Sequence, residues 1–395
     1  MKDMILKPGR ERSVRNRHPW NFSGAVSHSP DNAKQGETIR VLSSKNEPLA
    51  LAAYAPASAI TARVWTLDAK NEIGRDFLRN RIERALDART RLGIPDRTTA
   101  WRVVAAEADG LPGFTVDRYG DFLVCQITSA GAQYWKDTLV ELLRDTLTCK
   151  GIYSRAVADS ARKEGIEISD EILTGDSPPE TVEISENGLL FLVNIHEGHK
   201  TGFYIDQRDN RVSVAAFSAG LDVLNCFSYT GAFSAACLKS GASHVTEIEE
   251  SAEALALSAT HTDLNQLDSG KMERIQGDAF KVLRQMRDQG RAFDMIILDP
   301  PKFAASKSQL PGACRGYKDI NLLAAKLLRP GGILVTFSCS AHMTPDLFAK
   351  IVCDALLDAG RDAHVLHHLF QAQDHPVVPA FPESLYLKGL AIRVW

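Results

Sequence analysis

A chain of 395 residues is longer than one ordinary domain, and two or three are expected. With 44% hydrophobic and 24% charged residues it reads as globular: no apolar run reaches the roughly 18 residues of a membrane helix, and the N-terminus MKDMILKPGRER has no apolar core for a secretory signal. The net charge of −3 conceals an asymmetry, because residues 1–100 carry 18 Lys and Arg against 11 Asp and Glu while the remainder carries 28 against 38.

Residues 1–73 predict short strands at Glu37–Leu42, Leu49–Tyr54 and Ile60–Trp65, separated by Pro, Gly, Asn and Ser, as in a small all-β barrel. Residues 74–188 combine a helix over Arg75–Leu92, with Phe77, Leu78, Ile82 and Leu86 at helical spacing, a strand over Phe122–Ile127 and a helix over Ala132–Leu147. That mixture predicts a small α+β middle domain, closed by Asp176-Ser177-Pro178-Pro179 and the hairpin signal Glu186-Asn187-Gly188. From 189 to 395 strand and helix alternate. Apolar strands fall at Leu221–Cys226, His244–Ile248, Phe293–Leu298 and Gly332–Phe337, with helical windows near 231–240, 251–263, 279–289, 317–328 and 345–359. Two further strands, Ala363–Leu369 and Leu385–Val394, flank a Pro-rich loop. The fold class is therefore α/β, with a Rossmann-like domain of parallel strands covered by helices.

In such a sheet, ligands bind beyond the C-terminal strand ends. The first strand of this domain runs into Asn225-Cys226-Phe227-Ser228-Tyr229-Thr230-Gly231 and then a helix. Only Gly231 is present of a GxGxxG cradle, so a pyrophosphate fits poorly and a phosphate-free cofactor fits better, which points to S-adenosylmethionine. Asn225, Phe227, Tyr229 and Gly231 are its candidate contacts. Glu249, at the end of the second strand, is placed to accept the ribose hydroxyls, with Glu247 and Glu250 as alternatives, and Asp278 follows the third strand beside the adenine. The fourth strand ends in Asp299-Pro300-Pro301-Lys302-Phe303, a stiff turn suited to holding Asp299 over a reacting base.

The fifth strand ends in Phe337-Ser338-Cys339-Ser340. C5 of cytosine is a weak nucleophile until a thiolate adds to C6, so a cysteine at this mouth fits covalent catalysis of C5 methylation. Seven cysteines scattered singly, without CxxC pairs, predict neither a disulfide framework nor a zinc site, and no metal is expected. Cys226, Cys237 and Cys353 read as inert small hydrophobes.

Taken with Gly198–Arg208 (GHKTGFYIDQR), Gly312–Asn321 (GACRGYKDIN) and His18–Ala25 (HPWNFSGA), these motifs resemble the ribosomal RNA large subunit methyltransferase I family over the whole chain. The resemblance implies an N-terminal PUA domain (1–73), a middle domain (74–188) and a class I methyltransferase domain (189–395). It also implies methylation of one cytosine in 23S rRNA or a large-subunit precursor, with Cys339 as nucleophile. Two departures stand out: the fourth-strand turn lacks the second cysteine of many RNA 5-methylcytosine enzymes, and Glu249 stands where close relatives often have Asp.

Five Lys and Arg against one acid over Lys7–His18 suggest phosphate contacts from Lys7, Arg10, Arg12, Arg15 and His18. Trp20 and Phe22 are aromatics for stacking or for the core. Lys302, Lys307, Arg315 and Lys318 are expected in a long loop after the fourth strand, holding a flipped base. Two other readings compete: a guanine-nitrogen rRNA methyltransferase, weakened by Lys302 where an aromatic would stack, and a non-catalytic assembly factor, weakened by the presence of Glu249, Asp299 and Cys339 together. The expected compartment is the reducing cytoplasm, and oligomeric state, a homodimer included, is left open.

Overall fold

Along Thr38–Leu42 burial alternates, with Ile39 and Val41 inside, as a strand with one face on a core requires. This is the fourth strand of the computed structural model, which describes residues 1–304 and 306–395. The N-terminal part comprises β1 (Asp3–Leu6), α1 (Arg12–Arg15), β2 (Trp20–Phe22), β3 (Val26–His28), β4 (Thr38–Leu42), β5 (Pro48–Tyr54) and β6 (Ile60–Thr66). The strands form one sheet in the order β2-β6-β5-β4-β1-β3, antiparallel except for β1 with β4. Met4, Leu6, Ile39, Val41, Ala50 and Ala62 fill its core.

Next come α2 (Arg75–Arg91), β7 (Ala100–Ala105), β8 (Phe114–Tyr119), β9 (Phe122–Ile127), α3 (Ala130–Tyr134), α4 (Lys136–Thr146), β10 (Gly151–Ser154), α5 (Ala158–Glu164) and β11 (Glu171–Gly175). These strands make a second sheet, β11-β10-β9-β8-β7, in which only β9 and β10 run parallel. Helix α2 buries Leu78, Ile82, Ala85 and Arg89 along one stripe. The buried Arg89 is satisfied by a two-point fork on Asp109, both contacts at 2.8 Å, and by the Asp374 carbonyl at 2.9 Å. The expected single helix over 132–147 is two helices meeting at Trp135, the first capped by the Ser129 hydroxyl on Ala132 N.

A hairpin follows, β12 (Val182–Glu186) and β13 (Leu189–Val193), turning through Asn187 and Gly188 at φ of 50° and 77°, the left-handed pair that Asn-Gly favours. The chain divides into two compact units that are not consecutive stretches. One is Met1–Ser185 with Val193–Ile205 and Gln373–Ser384; the other is Glu186–Leu192 with Asp206–Ala372 and Leu385–Trp395.

The second unit holds α6 (Arg208–Ala215), β14 (Asp222–Cys226), α7 (Ala232–Lys239), β15 (His244–Glu249), α8 (Ala252–Leu264), β16 (Met272–Gln276), α9 (Ala279–Asp288), β17 (Phe293–Leu298), α10 (Leu310–Leu327), β18 (Leu328–Ser338), α11 (Pro345–Asp358), β19 (Ala363–Phe370) and β20 (Lys388–Val394). Its seven-stranded sheet has the order β16-β15-β14-β17-β18-β20-β19. All neighbours are parallel except β20, antiparallel to both β18 and β19. Strand order reverses between β14 and β17, where Cys226 pairs with Leu298, so the binding crevice of this Rossmann-like sheet lies beyond those two residues.

Strand β18 starts at Leu328 rather than Gly332 and β20 at Lys388 rather than Leu385, and a helix start also moves. Helix α10 starts at Leu310 rather than near 317, because Pro311 is harmless in a first turn while Gly312 and Gly316 dilute the apolar signal there. Arg315 and Lys318 therefore stand on a helix, not in a loop, and Lys318 is tied to Asp358 of α11 at 2.7 Å. No helix among the described residues is long and apolar enough to cross a membrane.

Candidate active site

After β14 the backbone turns three times through the left-handed region, at Phe227 (φ 60°), Tyr229 (φ 49°) and Gly231 (φ 77°). Two non-glycine residues held there store strain that surrounding contacts must impose, a pattern that concentrates at ligand sites. Glu249, at the end of β15, supplies the main constraint: its carboxylate accepts from Tyr229 N at 2.8 Å, and from Glu250 N and Ser251 N at 2.9 and 3.1 Å. Gly231 allows no side chain, since a Cβ would lie 2.2 Å from Ser258 Oγ and 2.6 Å from Glu247 Oε1.

Beneath the turn, the buried Asn225 amide donates to Ser234 Oγ of α7 at 2.9 Å. Burial pushes the Glu247 carboxyl up, and Ser258 Oγ donates to it at 2.7 Å. The His261 ring accepts from Leu192 N at Nε2 (2.9 Å), so the proton sits on Nδ1 and donates to Thr230 O at 2.8 Å. Burial pushes the pKa of this histidine down, which keeps the ring neutral. Asp278 caps α9 by accepting from Lys281 N at 2.8 Å.

Asn225 Oδ1, Ser228 Oγ and Thr230 Oγ1 are buried without a hydrogen-bond partner among the described residues. Such orphans are costly unless something else satisfies them, and three at one strand end fit the polar groups of an adenosyl amino acid. The residues at this strand end thus fit S-adenosylmethionine.

On the other side of the switch point, Asp299 follows β17 directly. Its carboxylate accepts from Gln207 Nε2 at 3.0 Å, and Gln207 Oε1 accepts from Asn210 Nδ2 at 2.6 Å. Cys339 follows β18 and is half-buried. Both serines beside it belong to Tyr317 of α10: Ser338 Oγ donates to the Tyr317 hydroxyl at 2.9 Å, and Ser340 Oγ lies 3.3 Å from it. Burial pushes the Tyr317 phenol up, helped by charge at Cys339 and Asp299. Burial also drives Lys388, at the start of β20, down to about 8, opposed by charge at Cys339 and reinforced by Lys302. Cys339, Asp299, Lys302, Tyr317 and Lys388 therefore share one electrostatic neighbourhood. Lys302 and Arg315 are exposed.

In the N-terminal unit the predicted cations separate. Lys7 Nζ donates to Gly24 O at 3.0 Å, and Arg15 pairs with Glu47 at 2.5 Å. His18 packs edge-on against Trp20 and Phe381 and bonds Glu383 at 3.3 Å. Trp20 donates to Glu107 at 2.8 Å, a structural use of the ring. Arg10 and Arg12 stay exposed and, with Asn16, Asn21 and Phe22, line a cavity of about 500 Å³. Asn21 Nδ2 is buried there without a partner among the described residues, and Phe22 is 47% exposed.

Sequence reasoning passed over Gln207, Tyr317 and Lys388. The first two lie inside quoted motifs, where their residue types alone gave no role. Lys388 was visible only as a lysine inside the expected strand Leu385–Val394, which the structure begins at Lys388. No group of three or more His, Cys, Asp or Glu able to hold a metal occurs among the described residues.

Comparison with known proteins agrees with this architecture. An S-adenosylmethionine-dependent methyltransferase family matches residues 158–393, and a PUA-like domain family matches residues 4–67. The chain is 48% identical over 391 residues to ribosomal RNA large subunit methyltransferase I of Shigella flexneri serotype 5b, covering 99% of each chain. It is 49% identical over 390 residues to the protein of that name from Shewanella amazonensis, covering 99% of this chain and 98% of the other. A solved structure from Streptococcus mutans, assigned as a SAM-dependent methyltransferase, shares the fold across 100% of both chains at a TM-score of 0.86 and 23% identity. S-adenosylmethionine is the cofactor, and the chain belongs to the ribosomal RNA large subunit methyltransferase I family.

Proposed function

We propose that the protein methylates C5 of one cytosine in 23S rRNA, or a large-subunit precursor, through a covalent adduct on Cys339. The observation that carries the reading is the placement of Cys339: it leaves β18 half-buried, in the same electrostatic neighbourhood as Asp299 and Lys302. The names of relatives 48% and 49% identical support rRNA as substrate.

The Cys339 thiolate adds to C6, forming an S–C6 bond and moving the C5–C6 π pair onto C5. When bound, S-adenosylmethionine would supply the electrophilic methyl group for C5, its sulfonium sulfur keeping the S–CH3 pair and leaving as a neutral thioether. Loss of the C5 proton then expels Cys339 as thiolate and restores the ring. Asp299, aimed by Gln207, accepts from the exocyclic amine of the base and holds it in the stiff Pro300-Pro301 turn. Lys302 and Arg315 neutralise phosphates flanking the target base. At the front end (residues 1–73), Arg10 and Arg12 hold the RNA backbone, and the cavity with Asn21 and Phe22 takes an unstacked base. Residues 74–188 serve as the middle domain and 189–395 as the catalytic one, the latter apart from Val193–Ile205 and Gln373–Ser384, which belong to the first unit.

Incubation with radiolabelled S-adenosylmethionine and unmodified 23S rRNA, followed by nucleoside analysis, tests this. Label in 5-methylcytidine for wild type and none for Cys339→Ala is the expected result. Label in a methylguanosine, or label that survives the substitution, overturns it.

A further inference from the structure

We propose that Lys388 is the positioning residue of the Cys339 nucleophile, clamping the turn that carries the thiol and holding a positive charge against it. The proposal rests on the reading of Cys339 as nucleophile, and its test separates the two.

Lys388 is 2% exposed. A lysine is almost never that buried unless paired, yet among the described residues it makes no ion pair with a carboxylate. Its ammonium instead donates to two backbone carbonyls, Ser340 O at 2.7 Å and Met343 O at 2.8 Å. Both acceptors belong to the turn after β18, and one is the residue next to Cys339. Register explains the reach: Lys388 opens β20 directly opposite Ser338, the last residue of β18, so its side chain extends past the strand end over the residues that follow. An ammonium has three donors, and these carbonyls use two.

If closing the turn were the whole task, a neutral donor would do it without burying a charge. The surrounding charges give the position a second use. Cys339 is the group that favours the ammonium, while Lys302 and burial oppose it; charge at Cys339 and at Asp299 after β17 acts in turn on Tyr317 of α10. Attraction between two titrating groups is mutual, so whatever Cys339 does for the ammonium, the ammonium does for the thiolate. Burial lowers Lys388 only to about 8, so it remains mostly charged at neutral pH. The sign follows: the charge supports the thiolate below about 8, and the support fades as pH rises through that value.

The test is the rate of iodoacetamide alkylation of Cys339 in the full-length protein, resolved by peptide mass spectrometry across neutral to alkaline pH, without RNA. The exposed Cys353 serves as internal control. In wild type, Cys339 should alkylate with an inflection at lower pH than Cys353; coincident inflections overturn the proposal, and this arm needs no variant. In Lys388→Gln the Cys339 rate near neutral pH should fall roughly tenfold, converging with wild type at alkaline pH, while Cys353 is unchanged. Lys388→Arg, which keeps the charge, should recover most of the rate. An unchanged Cys339 profile in a Lys388→Gln protein that still binds S-adenosylmethionine overturns the proposal. If the profile shifts as expected but Cys339→Ala still methylates RNA, the thiol–ammonium pair stands and the nucleophile reading fails, taking the positioning role with it.

Discussion

The Gln207 amide donates to the Asp299 carboxylate across 3.0 Å, and its own oxygen is held by Asn210 at 2.6 Å. Two motifs nearly a hundred residues apart thus form one chain of hydrogen bonds ending at the Asp299 carboxylate. A hydrogen bond to a charged group contributes about 1.5–3 kcal/mol, so Gln207→Leu should lower kcat by about ten- to a hundredfold. Steady-state kinetics with S-adenosylmethionine held saturating measures this; a fall in cofactor affinity with kcat intact would place Gln207 elsewhere in the mechanism.

Tyr317→Phe removes the hydroxyl that serves both Ser338 and Ser340. Leaving buried hydroxyls without that partner costs about 1–3 kcal/mol. The expected outcome is a lower Tm with S-adenosylmethionine affinity largely kept, because the lost hydroxyl bonds Ser338 and Ser340 and not the turn at 227–231 among the described residues. Calorimetric unfolding beside cofactor titration distinguishes this from a general loss of fold.

Gly231→Ala should weaken cofactor binding at least tenfold. The left-handed φ of 77° alone costs about 1–2 kcal/mol for an L-residue, and the new methyl overlaps Ser258 Oγ and Glu247 Oε1. Isothermal titration of the variant with S-adenosylmethionine checks this, and unchanged affinity would mean that the turn relaxes without consequence.

His261 gives a pH dependence with a definite sign. Its pKa is lowered by burial, so the neutral ring's contribution is fully present above the ordinary histidine value of about 6.5 and is lost as pH falls toward the lowered one. Thermal stability should therefore decline on the acid side, and His261→Gln should flatten that decline. Parallel slopes for the two proteins in Tm against pH would exclude His261 as its source.

The parallel sheet was legible because its strands are buried runs bounded by turn residues; Phe293–Leu298 was read to the residue. Cys339, Asp299 and Glu249 were legible for a related reason, since each sits where such a strand stops. What escaped depends on partners far away in sequence. Tyr317 matters through Ser338 and Ser340, and Lys388 through carbonyls more than forty residues earlier, pairings that no periodicity encodes. The four-residue helix Arg12–Arg15 escaped for the opposite reason: it buries only Val14 and has no side-chain cap, so neither pattern nor punctuation announces it. Lys318, counted among the loop cations, is instead paired with Asp358.

The chain's return to its first unit over Gln373–Ser384 governs how the molecule is born. Asp374 is fully buried, its carboxylate accepting from Arg102 N at 2.8 Å and its carbonyl from Arg89 at 2.9 Å. During synthesis from the N-terminus those two arginines emerge more than 250 residues before their partner. A nascent chain thus carries an incomplete first unit, with Arg89 lacking one acceptor, almost until translation ends. N-terminal fragments cut anywhere between residues 185 and 373 inherit the same deficit.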